Sequence, residues 1–175
     1  MDTDGDGTPD ACDVEECDGV DNDGDGLIDE DLNCSTGSID KCETAFAKLR
    51  SNSAICFEDI SGFNSPRWGW TNFIPATNGS STMDLYAAAG QCDVTKGALI
   101  GEVVVTYTNG SIDVTVNTVA GVIMNVTQLY AGTDQLPTGN NGIPTVAPGQ
   151  YPNIYDPEDA FTTHTFTGID VSNAV

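Results

Sequence analysis

The chain has 175 residues, enough for one medium domain and a small appendage. Five Lys and Arg stand against 27 Asp and Glu, a formal net charge of −22, which argues against nucleic-acid partners and a polybasic membrane anchor, since both need clustered cations. Apolar residues make up 39%, sufficient for a core, and no apolar run approaches the ~20 residues of a membrane span.

The charge is unevenly placed. Residues 1–34 hold 14 acidic residues and no Lys or Arg, so residues 35–175 carry a net of only −8. Within the acidic segment Asp2-Thr3-Asp4-Gly5-Asp6-Gly7-Thr8-Pro9-Asp10 recurs, 19 residues on, as Asp21-Asn22-Asp23-Gly24-Asp25-Gly26-Leu27-Ile28-Asp29. Both copies read D-x-D-G-D-G-x-x-D. Side-chain oxygens at positions 1, 3 and 5 can converge on one ion, Gly at position 6 permits the sharp turn, and the carbonyl at position 7, on Thr8 or Leu27, adds a ligand. Asp10 and Asp29 occupy position 9. Asp13 closes the first loop, whereas the second has Leu32 there and Glu30 two residues earlier. The expected ligands are therefore Asp2, Asp4, Asp6, Thr8, Asp10 and Asp13, then Asp21, Asp23, Asp25, Leu27, Asp29 and Glu30. Oxygen-only donors suit Ca2+ better than zinc or copper. A solvated acidic linker is the competing reading, and two loops in register argue against it.

The first loop, extended through Asp13, resembles the thrombospondin type 3 calcium repeat. Cys17-Asp18-Gly19-Val20-Asp21-Asn22-Asp23-Gly24-Asp25-Gly26-Leu27-Ile28-Asp29-Glu30 resembles the MopE-like metal-binding repeat of bacterial surface proteins, which commonly has Cys where this chain has Gly24. These resemblances imply extracellular calcium binding and no particular activity.

From about residue 40 Thr, Val, Ile, Tyr and Asn rise and charge falls. Residues 44–51 read as an extended strand, with a short helix as the alternative. Strands are expected at 53–60, 67–74, 81–88, 122–130 and 161–171. The strongest signal is a hairpin: Val103, Val105 and Tyr107 alternate before Asn109-Gly110, and Ile112, Val114 and Val116 alternate after it. Asn-Gly suits the two positive-φ positions of a type I′ turn. Residues 137–157, with five prolines, read as a long ordered loop holding at most one short strand. The pattern predicts an all-β chain: a calcium-binding arm at 1–34, a connector or donated strand at 35–52, and a β-sandwich at 53–175.

Ala54-Ile55-Cys56-Phe57, Arg67-Trp68-Gly69-Trp70-Thr71-Asn72, Leu85 to Asp93 and Val146 to Pro152 resemble a domain of secreted bacterial proteins. That resemblance implies a secreted β-domain with a Cys56–Cys92 disulfide. Cys34 with Cys42, and Cys12 with Cys17, are then the simplest remaining pairs, although six Cys allow 15 connectivities and spacing alone does not choose among them. The chain opens inside a calcium repeat and closes on a strand-like run, as a portion of a longer secreted precursor would.

Little here suits a catalyst. The single His, His164, reads as an exposed strand residue, and no nucleophile elbow, zinc-protease motif or phosphate loop occurs. Asp156, Glu158 and Asp159 read as a solvated loop more readily than as a further acidic site. Trp68 and Trp70, two apart, form either a core or interface pair or a sugar-stacking platform, with Arg67 alongside. Sequons fall at Asn33, Asn78, Asn109 and Asn125; Asn78 is the best glycosylation candidate, because Asn109 already has a turn role. The expected function is that of a non-enzymatic extracellular structural protein. Its partners are copies of itself joined head-to-tail into a fibre or array, by strand addition of a segment such as 38–49. The alternative is a carbohydrate-binding adhesin module on a calcium-stabilised stalk.

Overall fold

The computed structural model describes residues 43–51 and 53–172. The metal-ligand candidates from Asp2 to Glu30, together with Cys12, Cys17, Cys34, Cys42 and Asn33, lie outside the described residues. A compact unit begins at Thr44. Its strands are β1 (Ala45–Leu49), β2 (Ala54–Cys56), β3 (Trp70–Asn72), β4 (Gly79–Ala87), β5 (Ala98–Thr108), β6 (Ser111–Thr118), β7 (Thr127–Leu129), β8 (Asn153–Tyr155) and β9 (Thr163–Asp170). Among the described residues the only helical pieces are three 3-10 turns, so the unit is all-β.

Five strands form one antiparallel sheet in the order β1-β4-β5-β6-β9, while β2-β3 and β7-β8 are separate two-stranded ribbons. The β5–β6 hairpin turns where the Asn-Gly pair predicts, with φ of 49° at Asn109 and 89° at Gly110. Period-two alternation then places Leu49, Met83, Val103, Val116 and His164 in one row across all five strands. The next row holds Ser81, Val105, Val114 and Phe166. Val103, Val105, Val114 and Val116 are buried and Tyr107 packs half-buried against them, as the alternation predicts. The other face is polar and β-branched: Thr82, Val104, Thr115 and Thr165 share a row, and hydroxyls bridge strands at Ser80–Thr106 (3.0 Å) and Thr115–Thr165 (2.9 Å).

The expected sandwich differs in its second layer. Among the described residues no second sheet of similar size lies opposite the five-stranded one; Ala54 of β2 and Leu129 of β7, with Ile74, Met124 and Ala131, pack against the apolar cluster. The expected strand at 53–60 stops at Cys56, because the chain turns at Phe57–Asp59 to bury Phe57 and Ile60 with Leu136 and Val146. The runs at 67–74 and 122–130 shorten to Trp70–Asn72 and Thr127–Leu129 for the same reason: each belongs to a short ribbon, not to the sheet. The Pro-rich stretch carries β8 and a 3-10 turn at Pro148–Gln150.

Residues 45–49, read from the sequence as part of a connector or donated strand, are the edge strand β1, paired with β4 of the same chain. The outer edge of β1 is stoppered by one side chain. Leu49 N–H donates to Asn72 Oδ1 at 2.7 Å, and Asn72 Nδ2 donates to the Ala47 carbonyl at 2.9 Å. A carboxamide thus stands in for a neighbouring strand, and an open edge is a template for another chain. Asn72→Leu should destabilise the unit by about 1–3 kcal/mol, the cost of leaving partly buried backbone groups unmatched, and should raise self-association. Denaturant midpoints and light scattering check this; an unchanged midpoint would show that the carboxamide contributes nothing.

Candidate functional site

The Cys56–Cys92 disulfide is formed, with Cα atoms 6.0 Å apart. It sits in a cluster with Trp70 and Ala89, flanked by Trp68, Phe46 and Tyr86. The rings form an edge-to-face chain: Phe57 to Phe46 at 5.4 Å, Phe46 to Trp68 at 5.2 Å, Trp68 to Trp70 at 5.8 Å with planes 75° apart. Such geometry maximises quadrupole attraction and packing. Trp70 is buried and Trp68 half-buried, so the pair belongs to the core and offers no flat platform for a sugar. Gly69 between them has φ +139°, and a Cβ there would meet the Phe57 ring and approach Phe46 Cγ to 2.9 Å; only glycine lets the backbone between the two indoles lie this close to both phenyl rings.

His164 is placed differently from the exposed strand residue expected. It occupies the apolar row of β9, half-buried, with Tyr155 stacked on it at 3.7 Å and 6° between planes. Phe166 and Phe161 meet it edge-on at 4.6 and 6.2 Å. Burial holds the imidazole below its ordinary pKa, which favours the neutral ring. Its neighbours are aromatic rings, so it serves as packing. The sequence reading missed this because only the fold lays Tyr155 of β8 across the ring; the chain between them carries no pattern that predicts it.

Two sequon asparagines meet. Asn109 N–H donates to Asn78 Oδ1 at 2.9 Å, and Asn78 Nδ2 donates to Asn109 Oδ1 at 3.2 Å. Asn78 therefore braces the hairpin turn, and a glycan on its Nδ2 would compete with that bond. Asn125 is half-buried. Asp156, Glu158 and Asp159 are exposed, and among the described residues no group of three or more His, Cys, Asp or Glu is gathered for a metal.

Two clefts open on the unit. One, of about 350 Å³, runs beside Leu49, Ser53 and Phe73; its cation, Arg50, is tied to Asp84 at 2.7 Å. The other, of about 290 Å³, lies between the loop Phe63 to Arg67 and the Pro-rich loop at Asn141 to Gln150. Beside it the Tyr151 phenol is pushed up to about 12 by burial, against the opposing effect of the Arg67 charge, and so stays neutral. Sequence reasoning noted Arg67 only as a neighbour of Trp68; 74 or more residues separate it from the opposite wall, so no local pattern could reveal the cleft.

No protein-family model, curated protein or solved structure matches the chain.

Proposed function

We propose that the protein is an extracellular structural subunit, stabilised by calcium in its N-terminal arm and assembled head-to-tail with copies of itself. The two D-x-D-G-D-G-x-x-D loops supply the ligands. Calcium neutralises an arm that would otherwise repel itself, and orders it for docking at a smaller entropic cost. The β unit supplies a rigid body. The observation that favours this reading over a sugar-binding module is the Trp68–Trp70 pair, packed edge-to-face into the core beside Cys56–Cys92; an adhesin built on that pair would present it flat in a groove.

The test is electron microscopy and light scattering of the secreted protein in millimolar calcium, before and after chelation. Fibres or arrays should form with calcium, shorten or dissolve with chelator, and fail to form when residues 1–34 are deleted. A protein that stays monomeric in calcium would overturn the proposal. Calcium titration should show at least two saturable sites, lost when Asp4, Asp6, Asp23 and Asp25 are changed to Asn.

A further inference from the structure

The cleft between residues 63–67 and 141–150 owes its polarity to the way its own loops fold. Four of its side chains hydrogen-bond the backbone, each through its oxygen. Ser65 Oγ accepts from Arg67 N–H, Asn141 Oδ1 from Ile143 N–H, Thr145 Oγ1 from Ala147 N–H and Gln150 Oε1 from Asn140 N–H, all at 3.1 Å. Each of these oxygens spends one lone pair within the loops, and the same side chains keep two carboxamide NH2 groups and two hydroxyls as donors for a ligand. Arg67 adds an exposed guanidinium, which among the described residues makes no salt bridge. Among the described residues no Asp or Glu lines the cleft.

We propose that this cleft binds a carboxylate carried on a sugar ring, a uronate-type residue. The planar guanidinium matches a carboxylate with two parallel hydrogen bonds. The carboxamides of Asn141 and Gln150 donate to ring hydroxyl oxygens. Phe63 and Ile143 give an apolar wall for the ring's C–H face. At about 290 Å³ the volume lies near the lower end of small-molecule sites, which suits one ring, and the protein's overall negative field disfavours long polyanions. This inference is independent of the fibre reading.

The test is calorimetric or NMR titration of the full chain in calcium with glucuronate, glucose and acetate. Glucuronate should bind saturably and at least about tenfold more tightly than either of the others, as a charge-assisted bidentate contact added to ring contacts requires. Arg67→Gln should weaken glucuronate about tenfold or more without moving the melting temperature, because the guanidinium is exposed and makes no salt bridge among the described residues. Gln150→Glu should weaken it too, since the new carboxylate can still accept from Asn140 N–H but repels the ligand. Equal affinity for glucose, no saturation in the millimolar range, or full binding by Arg67→Gln would overturn the proposal. Binding that survives Arg67→Gln but vanishes on chelation would place the uronate on calcium instead. A peptide copying residues 1–34 that displaces glucuronate at lower concentration would make the occupant another copy's arm.

Discussion

Val105→Asp should leave the β unit unfolded at room temperature. Val105 is 3% exposed and lies in mid-sheet between Ser81 and Val114. An ionised carboxylate there would have no cation within the apolar cluster. Burying an unpaired charge costs well over about 4 kcal/mol, against a total stability of about 5–15 kcal/mol for a domain of this kind. Thr108→Asp, an exposed position on the opposite face of the same strand, should change stability by no more than about 0.5 kcal/mol. Circular dichroism during thermal melting separates the two. A Val105→Asp protein that melts like its parent would mean that β5 is out of register with the structure described.

The second large effect is expected at the disulfide. Cys56 and Cys92 close a loop across 36 residues, and a cross-link of that span limits the unfolded chain by roughly 3–4 kcal/mol. The loop contains Trp68, Trp70, β3 and β4, so the loss falls on the aromatic cluster as well. Cys56→Ala with Cys92→Ala, or reduction of the parent, should lower the unfolding free energy by that amount, read as a lower denaturant midpoint, and weaken the near-ultraviolet dichroism of the packed indoles. An equal midpoint with and without reductant would show that the bridge is energetically idle.

What was legible in the sequence is what is decided locally. The Asn109-Gly110 turn and the alternation on either side of it require only neighbouring residues, and β5 and β6 form as that pattern predicts. The all-β class follows from the same signal repeated along the chain. The second layer was not legible, because nothing in residues 53–60 says that the chain must leave its strand at Phe57 to reach Leu136 and Val146, 79 and 89 residues on. His164 fails for the same reason: Thr162-Thr163-His164-Thr165 reads as surface until Tyr155 is laid across the imidazole. The Trp pair was ambiguous at spacing two; in the fold Trp68 packs edge-on against both Phe46 and Trp70, about a Gly69 with no room for a side chain. In the second cleft, the carboxamide NH2 groups are left for a ligand because each carboxamide oxygen turns to the loop, a property of folded backbone that composition does not carry.

The Asn72 stopper also sets an order of events for the nascent chain. β1 leaves the ribosome first, but the carboxamide that closes its outer edge follows 23 residues later, and its sheet partner Met83 later still. Until β3 has docked, β1 is a bare strand with Phe46 and Leu49 uncovered. The interval before closure is when neighbouring nascent chains can pair wrongly, through the same unpaired backbone groups that Asn72 later occupies. Synthesis rate and chaperone access, rather than the stability of the finished sheet, then govern the yield of correctly folded chains.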